Sequence, residues 1–221
     1  MIYVTGDFHG NIDRFKTREL KKLKRKDYLV ILGDFGFIWN GSKEEQKILK
    51  WIGKRRFTTL FIEGTHDNYS LFENYPEEDF AGGRARHISG RLYKLSRGHI
   101  FYLDNKKIFA FGGGETIDKD VADEGKTWWQ AEIPTEEECG EAITRLEGVG
   151  CDVDYILTHD APAIIRDFIN LDLYSFNIIH KFFDFLSKSC EFKKWYFGCY
   201  HLDKTVTQKY IGVFNNVLPL E

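Results

Sequence analysis

Four cysteines, four prolines and a single methionine are spread over 221 residues. Cys139, Cys151, Cys190 and Cys199 show no framework spacing. That excludes a disulfide-stapled scaffold and reads as reduced thiols of a cytoplasmic protein. No low-complexity tract or repeat of solenoid period is present. No apolar run nears the ~18 residues of a membrane span. Met1 runs at once into an apolar stretch and candidate site residues, so no cleavable leader is expected. Excess charge is missing too. The 31 Lys and Arg stand against 34 Asp and Glu, a net charge of −3, and that balance demands no polyanionic partner.

Apolar and aromatic residues are plentiful instead. Hydrophobic residues make up 43% and aromatics 16%, with 19 Phe and 11 Tyr. A chain of this size can bury a sizeable core, and it is read as one domain over residues 1–221.

The first ten residues organise the rest. Ile2-Tyr3-Val4 stops at Gly6, and Asp7 and His9 follow two positions apart. In an extended segment such residues point to the same side, so a carboxylate and an imidazole would share one spot. The arrangement recurs four times: Tyr28–Leu32 runs into Asp34, Thr59–Glu63 into Thr65-His66-Asp67, Val153–Thr158 into His159, and Lys194–Phe197 into Cys199 and His201. Each is a strand candidate with potential ligands at its carboxyl end, where α/β sheets bind ligands.

In chain order, Asn11 reads as a helix cap, with Ile12, Phe15, Leu20 and Leu23 on one helical face. The other face is basic, from Lys16 to Lys26, and reads as solvated. A nucleic-acid contact would need interleaved aromatics, and only Phe15 is there. Trp39 reads as exposed in a loop, and a helix is expected from about Ser42 to Gly53. Alternating strands and helices to this point argue for a parallel sheet. Short strands from Arg86 to Phe111 read as an antiparallel meander, ending at Gly112-Gly113-Gly114. Thr135 caps a helix running to about Val149. A helical, aromatic stretch is expected from about Ala163 to Ser187. Residues 205–217 read as two short strands closing a second sheet. Adjacent Trp128 and Trp129 read as a packing lid rather than a base-stacking platform.

Four of the seven histidines sit at strand ends beside glycines or acids, which points to a metal site. Mixed oxygen and nitrogen donors suit Mn²⁺, Fe or Zn²⁺ better than Mg²⁺ or Ca²⁺. Two divalent ions about 3.5–4 Å apart would activate a water for displacement at phosphorus.

The ordered blocks Asp7-x-His9, Gly33-Asp34, Gly64-Thr65-His66-Asp67, His159 and Gly198-Cys199-x-His201 resemble the signature of the calcineurin-like metallophosphoesterases. The resemblance extends to about residue 215. The loop from Gly112 through Asp118-Lys119 to Trp128-Trp129 resembles a subgroup common in bacteria and phages. The resemblance implies an α/β/β/α four-layer sandwich of two mixed sheets, with the metal site at strand carboxyl ends. It implies that Asp7, His9 and His201 hold one metal, that Asp34 bridges, and that His159 holds the second. His66 is then the general acid, oriented by Asp67.

Three positions depart from the pattern. The family has Asn at Thr65 and His at Cys199, both serving the second metal, and the subgroup has Arg at Ala122. Cys199 can ligate as a thiolate, which biases the site towards softer metals. The expected activity is hydrolysis of a small phosphorylated or nucleotide substrate. The rival is a weakened relative that holds one metal and binds such a ligand. Long nucleic acid and membrane are not expected partners.

Overall fold

The structure is a computed structural model and describes residues 1–116, 123–169 and 177–221. β1 (Ile2–Thr5), β2 (Tyr28–Leu32) and β3 (Thr58–Ile62) are almost wholly buried apolar runs. That is the composition of parallel strands covered on both faces, and the three lie parallel and adjacent. β6 (Leu92–Leu95) continues the parallel set, while β5 (Gly83–Ser89) and β4 (Glu77–Phe80) turn back antiparallel. With β13 (Leu218–Pro219) against β1, the first sheet has seven strands in the order β13-β1-β2-β3-β6-β5-β4.

The second sheet has six strands, ordered β11-β12-β10-β9-β8-β7. These are β7 (His99–Leu103), β8 (Lys106–Phe111), β9 (Tyr155–Thr158), β10 (Lys194–Phe197), β11 (Lys204–Thr205) and β12 (Tyr210–Gly212). The expected α/β/β/α sandwich follows. Val30, Leu32 and Leu60 of one sheet meet Ala110, Leu157 and Tyr196 of the other in the central core. The outer face of the first sheet packs against α1 (Arg18–Lys22) and α2 (Lys43–Gly53) through Leu20, Leu49 and Ile52. The outer face of the second packs against α4 (Glu136–Glu147) and α6 (Ile178–Ser189) through Ala142, Leu146 and Phe183.

Several local expectations change. The helix after Gly10 splits into a 3₁₀ turn (Ile12–Lys16) and α1, because Thr17 is extended and caps the second piece. The apparent meander divides between the sheets: β4 to β6 join the first, β7 and β8 the second. β4 reads Glu-Glu-Asp-Phe, a charged edge strand without the alternation that reveals a strand. The stretch after Ala163 is two helices, α5 (Ala163–Phe168) and α6, with 170–176 outside the described residues. The tail adds β11 and β12 to the second sheet, but β13 closes the first. Trp39 is half-buried, edge-on to Trp129 at 5.5 Å. All four cysteines are free.

Candidate metal centre

The site residues follow the carboxyl ends of β1, β2, β3, β9 and β10, so both sheets contribute. Asp7 and His9 do not converge by continued strand geometry. β1 ends at Thr5, and His9 turns into the left-handed region with φ 47°. Asp34 (46°), Cys199 (65°) and His201 (49°) do the same. Such φ values are uncommon away from glycine and cluster where function holds a strained backbone. The neighbouring glycines make room for ligands arriving from other strands. A Cβ on Gly33 would lie 2.1 Å from His159 Nδ1, and one on Gly64 would lie 2.2 Å from Asp34 Oδ1.

Asp7, Asp34 and His159 are buried at the base of the site, and His9, His66 and His201 stand exposed at its rim. Three groups each offer ligand atoms within 4.8 Å of one another: Asp7, His9 and His201; Asp7, Asp34 and His159; His9, Asp34 and His66. His9 Nε2 and His201 Nε2 are 2.9 Å apart. His159 Nδ1 donates to the Leu32 carbonyl at 2.8 Å. That leaves its Nε2 buried, 3.4 Å from Asp34 Oδ1, with no hydrogen-bond partner among the described residues. Asp7 Oδ2 is likewise buried and unpartnered there. Orphaned buried polar atoms are costly. Here the orphaned carboxylate oxygen lies 3.5 Å from His201 Nε2 and the orphaned nitrogen 3.4 Å from Asp34 Oδ1, and both residues belong to three-ligand groups, so the residues fit a divalent cation.

The electrostatics agree. Burial pushes Asp34 up, but His159 and the hydrogen bond from His66 outweigh it and hold the carboxyl well below its usual range. Burial raises Asp7. His159 is pulled down by burial but lifted further by Asp34, Cys199 and Asp7. The pocket thus calls for positive charge in its floor.

The description matched by residues 1–178 is that of the calcineurin-like phosphoesterases. The chain belongs to this family. The match stops short of Cys199 and His201, which the fold nevertheless brings to the family site. No curated protein sequence matches the chain. Among solved structures, a provisionally named 5′-nucleotidase from Staphylococcus aureus, in complex with α-ketoglutarate, is similar with a TM-score of 0.53 and 15% identity. The likeness covers 97% of this chain and 48% of that one, so this phosphoesterase-family chain spans about half its length. A protein of unknown function from Aquifex aeolicus overlaps with a TM-score of 0.34 and 17% identity over 74% of this chain and 81% of its own.

Within this family member, the departing positions sit to one side. Cys199 lies beside the His159 ring and joins no three-ligand group among the described residues. Burial pushes its thiol up to about 11, against the pull of His159. Thr65 Oγ1 is 3.3 Å from His66 Nδ1. Ala122, Asp118 and Lys119 lie outside the described residues.

Asp67 does not take the expected place beside His66. The His66 ring bonds Asp34 Oδ2 at 3.1 Å. Asp67 is fully buried and accepts from the backbone N–H groups of Phe35, Gly36 and Gly64. Its carboxylate ties the β2 and β3 loops together. Burial, then the charge of Asp34, pushes it up to about 7. Trp129 is buried, and its Nε1 donates to Ser70 Oγ, which is the packing role.

Two supporting residues had no signal in the sequence. Arg14, two residues before the basic run, donates to the carbonyls of Asp7 and Phe214 and to Thr5 Oγ1. The Phe214 ring stacks on His201 at 4.6 Å. Only the fold brings residue 214 to the first strand.

Proposed function

We propose that this chain is a metal-dependent phosphoesterase, one domain over residues 1–221, acting on small phosphorylated or nucleotide substrates. In this reading Asp7, His9 and His201 hold one cation, Asp34 is shared, and His159 and Cys199 serve a second. The donor set suits Mn²⁺, Fe or Zn²⁺. When bound, such ions lower the pKa of water and polarise phosphoryl oxygens.

The protein's own groups do the rest. His66 donates a proton to the leaving oxygen. Its ring is 62% exposed, within reach of a ligand in the cleft. Its hydrogen bond to Asp34 raises its pKa and keeps it protonated to higher pH, as a general acid near neutrality requires. Asp67 fixes the loop that carries His66, acting on the backbone rather than on the ring.

The observation that carries this reading is the pair of buried, unpartnered atoms, Asp7 Oδ2 and His159 Nε2, at the base of overlapping ligand groups. The test is metal content by elemental mass spectrometry on protein purified without chelator, beside bis-aryl phosphate hydrolysis with added Mn²⁺. Two metals per chain and turnover that His66→Ala removes support it.

The isolation of Cys199 from any ligand group favours a second reading, a weakened relative with one tightly held metal that binds without efficient turnover. One metal and no hydrolysis, with activity restored by Thr65→Asn plus Cys199→His, would select it.

A further inference from the structure

The helical layer over the first sheet gathers the chain's positive charge. Residues 12–56 hold 14 Lys and Arg and 6 Asp and Glu, and the remaining residues hold 17 and 28. Of the six acids, Asp27, Asp34 and Glu45 are buried. Asp27 and Glu45 are taken up by backbone N–H groups of Lys24 and of Asn40 and Gly41. Several cations elsewhere are paired, Arg84 with Asp79, Arg86 with Glu73, and Lys94 and Arg97 with Glu63. On this face Lys16 pairs with Asp13, but Lys21, Lys47, Lys54 and Arg55 have no acidic partner among the described residues.

Charge alone would make a solvated surface. The fold adds a groove. One cleft of about 280 Å³ has Lys16 and Lys47 over Ile48 and Trp51. Another of about 300 Å³ has Lys21, Lys54 and Arg55 along its wall. Trp51 lines the first, and its ring lies 6.1 Å from Phe15 and 4.1 Å under the Arg55 guanidinium, both of which line the second. The aromatic that the basic run lacks in sequence arrives from α2.

We propose that this groove binds single-stranded DNA, phosphates along the lysine walls and bases against the Trp51 floor. Paired cationic walls and an aromatic floor are what a single strand uses, since every base has a π-face. A duplex keeps its bases stacked on each other and away from the floor. A membrane surface would need the apolar residues to project, and here they lie between cations. Neither cleft is lined by a carboxylate, hydroxyl or amide side chain that would accept from a ribose 2′-hydroxyl, which favours DNA over RNA. The site is separate from the metal centre, so the proposal does not depend on the phosphoesterase reading.

The test is anisotropy of a fluorescein-labelled oligothymidylate in EDTA, which silences the metal centre. Wild-type protein is expected to bind with steep salt dependence. Lys47→Glu with Lys54→Glu should weaken binding about tenfold or more, and flatten the salt slope by about 1.4, at ~0.7 per lost phosphate contact. Trp51→Leu should weaken binding while leaving the slope unchanged. The double lysine variant should keep the wild-type circular dichroism spectrum and melting temperature, which shows that it folds. Unchanged affinity in the lysine variant overturns the proposal. So does binding of oligouridylate, duplex DNA, poly-glutamate or phosphatidylserine vesicles as tight as that of oligothymidylate.

Discussion

On one side of the centre, Asp7, His9 and His201 bring three ligand atoms within 4.8 Å of one another. On the other, His159 meets Asp34 and Asp7, while Cys199 stays outside every such group and Thr65 offers a short hydroxyl near His66. The two sides share Asp7, and the second adds Asp34, Thr65 and His159 from the stretch between. Yet the second has the more deeply buried histidine, with an orphaned nitrogen. The contrast teaches that departures need not fall on the exposed rim: Thr65 is buried, while the exposed His9, His66 and His201 keep the expected residue types.

The sharpest way to break this contrast is Asp34→Ala. Asp34 belongs to two of the three groups, so both metals and all hydrolysis should disappear together in parallel metal and rate assays. Retention of one tight metal would mean that the sides are independent. Next comes His66→Ala, expected to slow turnover about 10²–10⁴-fold, the usual weight of a general acid, with metal content unchanged. Loss of metal instead would make His66 a ligand, as its place beside His9 and Asp34 allows.

A smaller gain is expected from Thr65→Asn with Cys199→His. Occupancy of the second site and the rate should rise together, by about 10-fold or more on the scale of ligand-sphere changes. No gain would show that the two sides are already equal.

A separate effect concerns pH and stability rather than turnover. Asp67 is raised to about 7 in the folded chain by burial and by Asp34, against about 3.9 unfolded. Its ionised form is therefore disfavoured on folding. Chelator-treated protein should keep full stability from this group below about pH 4 and lose it as pH rises to about 7. Urea midpoints across that range test it. A flat profile would mean that the three backbone donors already compensate the charge.

Much of this was legible in the chain itself. The parallel strands were visible because strands buried on both faces read as unbroken apolar runs, and β10 was bounded to the residue. Ser42 and Thr135 marked helix starts because capping is a local hydrogen bond. Charged β4 gave no signal, nor did the division of the middle strands between two sheets, which depends on packing at long range. At the site, residue types were readable but partners were not. Asp67 sits next to His66 in sequence, yet its carboxylate turns to the backbone of residues 35, 36 and 64. Arg14 gave no signal, because its partners at Thr5 and Phe214 are brought to it by the fold.

β13 has a consequence for how the protein is made. β1 lies between β2 and β13, and the Gly6 N–H donates to the Phe214 carbonyl at 3.0 Å. Thr5 Oγ1 reaches the same carbonyl across 209 residues of sequence. On the ribosome, the strand that leads to Asp7 and His9 emerges well before residues 214–219, and one of its edges stays open until they follow. A nascent chain thus presents Asp7 and His9 at the end of a half-paired strand until that late partner arrives.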